Sequence, residues 1–280
     1  MKAILFAMDG PACSDPRMAG LSLFQLALHD QPALRYCFVN LMQWGIQDIL
    51  VIGPGSNLMP ILGDGAAYGL RISYIDSPET FNLFQILQEY TAFLQRDLVC
   101  LMSAHNFFWG ADLPEVGNLC GGAKIMAQRV VGREHYSVLE IDSLPWRVPD
   151  LGFYAPGLLE VAGKLKSHGS LSLDLEVLNR HYADENRLEV VRVGGEVVWC
   201  DLRDWDSLWE VGRQAEAWEE MTTSKAACLE EVALHTGLIS ADQGVALYER
   251  YAPGLYREYL KGVFINAGIW PEEERGLRLV

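Results

Sequence analysis

The chain has 280 residues, half of them hydrophobic, and a formal net charge of −15 at neutral pH. That balance opposes nucleic acid, whose phosphates call for a basic surface, and it opposes an anionic membrane surface. The length suits one large α/β domain or a domain with a helical appendage, and no apolar run reaches the length of a membrane span.

The N-terminus, MKAILFAMDG, has one Lys and a short apolar run that stops at Asp9. This predicts a buried first strand over Ala3–Met8 rather than a signal peptide, and a cytoplasmic location is expected. The loop Asp9–Gly20 holds two Gly and two Pro. Leu34–Gly45 has helical apolar spacing, with Gly45 as its stop. Asp48–Gly53 and Arg71–Asp76 read as strands, and Pro78–Leu94 as a helix. The six cysteines form no C-x-x-C pair, so neither a zinc ribbon nor a thioredoxin motif is encoded. Cys37, Cys100 and Cys200 sit in apolar contexts and are expected to be buried.

The central stretch is Leu98–Glu115, LVCLMSAHNFFWGADLPE. It reads as a buried strand, Leu98–Ser103, then an aromatic loop, Ala104–Gly110, then a helix start. In a doubly wound sheet, ligands bind where such strands end, so this loop marks the expected site. Lys124–Val131 is a further strand. Arg187–Val193 and Glu196–Trp199 read as an antiparallel hairpin about Gly194–Gly195. Ser207–Thr222 is a helix, and Ser240 before Asp242 opens another. Leu247, Tyr248, Tyr251, Leu255, Tyr256, Tyr259 and Leu260 form an apolar stripe wider than one intrachain contact needs. It faces either a second copy or the chain's own domain.

Several of these stretches resemble the sugar-phosphate nucleotidyltransferases, most closely the glucose-1-phosphate thymidylyltransferases. There the central stretch reads Gly-Asp-Asn-hydrophobic-Phe-Tyr-Gly, and its Asp holds the catalytic Mg²⁺. This chain keeps Asn106, Phe108 and Gly110, with Ala104 and His105 in place of the Gly and the Asp. FQLALHDQP keeps Gln25, Leu26 and Pro32, but Phe24 stands for the family's catalytic Lys, which offsets phosphate charge during transfer. The family's phosphate loop, Gly-Gly-x-Gly-Thr-Arg, falls on Met8–Cys13, where Gly10 alone lets backbone approach a phosphate. LGDGAAYGL (Leu62–Leu70) matches closely. Gln85 is kept in the base-binding run, while Asn82 and Phe84 replace small residues. HYSVLEID keeps Tyr136, Glu140 and Asp142. The sugar-phosphate motif Glu-Glu-Lys-Pro falls in the shortened LPWRVPDLGFY, with Arg147 near the Lys. Trp199 and Asp201 keep the Trp-x-Asp whose Asp is the second Mg²⁺ ligand.

The resemblance spans about residues 1–262. It implies a mixed, mainly parallel α/β sheet of nucleotidyltransferase type over residues 1–222, with a C-terminal helical assembly and regulatory segment over 223–280. The implied substrate contacts are Gly10, Gln25, Gln85, Tyr136, Glu140 and Arg147. The implied metal ligands are His105 and Asp201, a pair better suited to a transition metal than to Mg²⁺. Family subunit contacts and a second, regulatory nucleotide site map to Trp44, Gly45, Trp109, Gly110, Leu113, Glu231, Val232, Tyr256 and Tyr259. No residue is assigned a catalytic role.

Two functions stay open. One is a catalytically impaired homologue that binds a nucleotide or nucleotide sugar as a regulatory subunit in sugar-nucleotide metabolism. The other is an active Mg²⁺-dependent enzyme joining a nucleoside triphosphate to a sugar 1-phosphate, with release of pyrophosphate. A homo-oligomer, dimer or tetramer, is expected in both cases. The plainer alternative for the metal pair is Asp201 as a turn residue and His105 as a loop histidine.

Overall fold

A computed structural model describes residues 1–8, 22–76, 81–110, 113, 115–117, 119, 121–129, 137–141, 144–202 and 205–270, with only the backbone for 137–141 and 205. The sheet is built around β1 (Lys2–Phe6). Its side chains alternate between two cores. Ala3, Leu5 and Ala7 face one, and Ile4 and Phe6 face the other. A strand buried on both faces needs a continuous apolar run, which this segment supplies.

A 3-10 turn at Leu23–Gln25 and the short ribbon β2 (Ala27–Leu28) and β3 (Gln31–Pro32) lead into α1 (Ala33–Gln43). Every residue from Ala33 to Met42 in this helix is buried. Gly45 then turns the chain at φ +72°, a conformation glycine adopts without strain. Next come β4 (Asp48–Gly53), α2 (Gly55–Leu62), a 3-10 turn at Ala66–Tyr68 and β5 (Arg71–Asp76). Helices α3 (Leu83–Glu89) and α4 (Thr91–Leu94) precede β6 (Val99–Ser103). Strands β5, β4, β1 and β6 lie side by side in parallel.

The chain then builds outward from β6. Strand β7 (Asn106–Gly110) leaves the main sheet. It is followed by β8 (Ala123–Arg129), β9 (Ser137–Ile141), β10 (Leu144–Val148) and β11 (Leu151–Tyr154). Strand β11 runs antiparallel to both β6 and β8. Helices α5 (Leu158–Ala162) and α6 (Leu171–Asp184) cover one face, and β12 (Leu188–Val193) joins β8 in parallel. Among the described residues the main sheet holds nine strands.

Strand β13 (Val197–Asp201) does not pair with β12. It pairs antiparallel with β7 in a separate two-stranded ribbon. The hairpin read from Gly194–Gly195 is therefore corrected: the glycines connect two strands that go to different partners. The segment read as an aromatic loop is also corrected, because Asn106–Gly110 is a strand.

Helices α7 (Trp205–Thr222), α8 (Leu229–His235), α9 (Ala241–Glu249) and α10 (Leu255–Asn266) complete the described chain. Ala227, Leu229 and Ala233 enter the main core beside α1. Tyr248, Leu260, Val263, Phe264 and Trp270 form a smaller core of their own. No described helix is long and apolar enough to cross a membrane.

Candidate functional site

The site grows from the end of β6. Ser103 closes the strand, and its hydroxyl lies 3.0 Å from His105 Nδ1. The His105 carbonyl accepts from Leu202 N–H at 2.7 Å. One residue on, Asn106 of β7 faces Asp201 of β13. The ribbon thus sets His105 and Asp201, the two metal candidates, on adjacent strands at one end.

Asn106 is fully buried, and its Oδ1 accepts from Trp199 Nε1 at 2.8 Å. Arg147 stacks over the Trp199 ring with its guanidinium carbon 4.0 Å from the centroid, an attraction between cation and ring quadrupole. Arg147 thereby lies on the middle rung of the ribbon, where Trp199 faces Phe108. Burial raises the Cys200 thiol above its ordinary range, with Asp201 adding to the effect and Arg147 opposing it. This cysteine stays a neutral core residue.

Phe24 forms the inner wall. It is fully buried and meets the His105 ring edge-on, with centroids 5.0 Å apart. The donor set fits Mg²⁺ poorly. That ion takes hard oxygens in octahedral geometry, whereas this corner offers the Asp201 carboxylate and an imidazole already engaged with Ser103 and Phe24. The described group that does bring three potential metal ligands together is His29, Asp30 and Glu219. There Lys225 Nζ already sits 2.6 Å from both Asp30 and Glu219.

The other candidates divide. Gln25 caps its own turn by accepting from Ser22 N–H, and it donates to the Asn57 carbonyl at 2.9 Å. Gln85 is exposed on α3 and donates to Glu89. Gly10 and Tyr136 lie outside the described residues, as does the Glu140 side chain.

Of the assembly and regulatory set, Trp44, Gly110 and Leu113 line one cavity of about 460 Å³ with Gln43 and Glu115. Trp109 turns into the core against Tyr36 and Phe107. Val232 packs partly buried on the main core. Glu231 accepts from the Tyr259 hydroxyl at 2.6 Å, and Tyr256 donates to Glu230 at 2.6 Å. The tyrosine stripe is therefore occupied in good part by the chain's own α8.

The sequence did not single out Arg35 or Asn40. Asn40 is fully buried on α1 and pairs with Phe108 as a strand would, donating to its carbonyl at 2.6 Å and accepting from its N–H at 2.8 Å. Arg35 reaches Glu230, Tyr68, Tyr251 and Tyr256. A signal was present, since a polar residue inside an otherwise apolar helix must find a partner.

A glucose-1-phosphate thymidylyltransferase from Neisseria meningitidis serogroup A is 30% identical over 282 residues, spanning 93% of this chain and 98% of that one. The chain belongs to the glucose-1-phosphate thymidylyltransferase family. A thymidylyltransferase from Mycobacterium tuberculosis is 28% identical over 284 residues, with the same coverage of both chains. Among solved structures, a putative glucose-1-phosphate thymidylyltransferase from Bacillus anthracis in complex with a sucrose superposes with a TM-score of 0.67 at 20% identity, over 77% of this chain and 95% of that one. A UDP-glucose pyrophosphorylase complexed with UDP-glucose gives 0.58 at 11% identity, over 78% and 98%. At such identities the superpositions speak for the fold alone. No family model matches the chain.

Within this thymidylyltransferase family the ribbon end is the position of interest. His105 stands where the resemblance puts the first metal-binding Asp, Phe24 where it puts the Lys, and Asp201 where it puts the second Asp.

Proposed function

We propose that this family member binds a nucleotide or nucleotide sugar and transfers no nucleotidyl group, serving as a binding or regulatory subunit in sugar-nucleotide metabolism. One observation carries the reading. Where the family pattern sets a cation near a carboxylate, this chain has the edge-on contact of Phe24 with His105. Phosphoryl and nucleotidyl transfer rely on charge placed where negative charge develops. A phenyl ring and an imidazole held by a serine supply little of it. The UDP-glucose and sucrose in the neighbours' complexes support a sugar-bearing ligand. The reading includes a cytoplasmic homo-oligomer.

The second reading keeps activity. Its support is that Asp201 is kept opposite Asn106, next to His105, and that Arg147 lies over Trp199 of the same ribbon. Pyrophosphate release separates the two, measured with each of the four nucleoside triphosphates and glucose 1-phosphate. The expected result is no release above background, together with saturable nucleotide or nucleotide-sugar binding by calorimetry. Sustained turnover near that of an ordinary enzyme, roughly 1–10 per second, would establish the second reading instead.

A further inference from the structure

Away from the ribbon of β7 and β13, the last turns of α7 meet the turn between β2 and β3. That turn supplies His29 and Asp30, and α7 supplies Glu219. One potential ligand atom from each lies within 4.8 Å of the others. His29 Nε2 stands 3.5 Å from Glu219 Oε2. Two ligands held tetrahedrally on zinc at about 2.0–2.1 Å stand roughly 3.4 Å apart. One edge of a coordination tetrahedron is thus already laid out, by two elements far apart in the sequence.

Glu219 is almost wholly buried, and its two oxygens have separate tasks. Oε1 accepts from Ala226 N–H at 2.9 Å, which fixes the carboxylate in place. Oε2 is turned to His29 and to Lys225. Ligating carboxylates are oriented by outer hydrogen bonds of this kind. The Asp30 and His29 side chains are 28% and 29% exposed, so an ion has a path in from solvent.

A positive charge already occupies the centre. Lys225 Nζ is 2.6 Å from Asp30 Oδ2 and 2.6 Å from Glu219 Oε2. The ammonium marks where a cation is stable, yet it brings one charge to two carboxylates, and its flexible stem can swing out to water. A neutral imidazole adds little to an ammonium but is a strong ligand for zinc. Mg²⁺ is disfavoured, because it takes oxygens in near-octahedral geometry. One nitrogen with two carboxylates suits zinc-type ions.

We propose that His29, Asp30 and Glu219 form a site for a zinc-type divalent ion, in which Lys225 is a resident cation that the metal displaces. A bound ion ties the β2–β3 turn to the end of α7. The site shares no residue with the corner of His105 and Asp201, and it does not rest on the nucleotide reading above.

The test titrates the full chain, stripped with a chelator, with Zn²⁺ and with Mg²⁺ by calorimetry, and records the melting temperature with each ion. The variants are His29→Ala, Asp30→Asn, Lys225→Met and His105→Ala. The expected result is one saturable Zn²⁺ site of micromolar affinity that raises the melting temperature, with no response to Mg²⁺. His29→Ala and Asp30→Asn should each weaken it by roughly tenfold or more. Lys225→Met should tighten it by about tenfold, because the competing cation is gone. Should that variant not fold, Lys225→Gln removes the same charge and keeps a polar head. His105→Ala should leave Zn²⁺ binding unchanged. The proposal fails if no Zn²⁺ binding saturates in the unmodified chain, or if His29→Ala binds as tightly. It also fails if loss of the Lys225 charge brings no tightening, if Mg²⁺ binds equally well, or if His105→Ala abolishes the binding.

Discussion

One guanidinium nitrogen of Arg35 donates to both carboxylate oxygens of Glu230, at 3.0 and 2.7 Å, and both side chains are almost wholly buried. The pair joins α1 to α8 across the main core. Tyr251 and Tyr256 donate to the same carboxylate, so its lone pairs are well used. Breaking one partner leaves a buried charge uncompensated. Arg35→Met or Glu230→Gln alone is expected to cost about 3–5 kcal/mol in urea unfolding, and Arg35→Met with Glu230→Leu should recover most of it. Additive losses in the double variant would show that the two residues do not act as a pair.

The same carboxylate sets an acid limit. Burial alone would raise the Glu230 pKa, but the Arg35 charge and the Tyr251 and Tyr256 hydroxyls outweigh it, and the net shift is downward. A carboxylate depressed in the folded state stabilises above its unfolded value, about 4.3. That stability is lost as pH falls through the folded value. The melting temperature should therefore hold from neutral pH to about 5 and fall below about 4. Glu230→Gln should flatten the fall, and an equal slope in that variant would count against this assignment.

Placing the family's Lys at position 24 should cost stability and add no nucleotidyl transfer. Phe24 is fully buried against His105, and an unpaired buried ammonium is costly. Phe24→Lys is expected to destabilise by several kcal/mol, of order 3–5, with no pyrophosphate release. Adding His105→Asp supplies a counter-charge and should recover about 1–3 kcal/mol as a coupling energy. Strict additivity in that cycle would mean that the two positions do not meet.

Two glycines of the expected assembly surface should behave differently on substitution. At Gly110, φ is +127° and a Cβ would lie 2.2 Å from the Glu196 carbonyl oxygen. At Gly45, φ is +72° and a Cβ would meet nothing within 4 Å. Gly45→Ala should cost only the left-handed strain, about 1–2 kcal/mol. Gly110→Ala should cost clearly more, because β7 and β13 must separate to admit the methyl group. Equal losses by denaturant unfolding would remove the steric argument.

Assembly is best probed away from the tyrosines, which are bonded to Glu230 and Glu231. Leu255, at the start of α10, is 89% exposed, so a charge placed there disturbs no packing within the chain. If the C-terminal helices join subunits, Leu255→Glu should lower the mass seen by light scattering and leave circular dichroism unchanged. A monomeric mass for the unmodified chain at micromolar concentration would refute the oligomer altogether.

The parallel strands were legible because β1, β4 and β6 are continuous apolar runs, the pattern that burial on both faces demands. Strand β7 was not. Its five residues, NFFWG, alternate no polar group, and their pairing partner lies ninety residues further along the chain, outside any local window. The Gly194–Gly195 turn was read correctly as a break and wrongly as a hairpin, since twist and partner choice are decided by the whole sheet. At the site, the neighbourhood of His105 and Asp201 followed from the resemblance alone. Their seating by Ser103, Phe24 and Trp199 needed the coordinates. The Arg35 cluster joins residues more than two hundred positions apart, and no spacing rule reaches that far.

The ribbon of β7 and β13 has Asn106 against Asp201 at one end and Gly110 against Val197 at the other. At about 3.4 Å of rise per residue, its ends are some 14 Å apart on one hydrogen-bonded splint. His105 and Asp201 ride on the first end, and the cavity beside Trp44 abuts the second. Neither end can be rebuilt without disturbing the other's foundations. Asn106, Phe108 and Gly110 therefore serve both ends at once, and a change at any of them would be felt at the corner of His105 and at the cavity beside Trp44 alike.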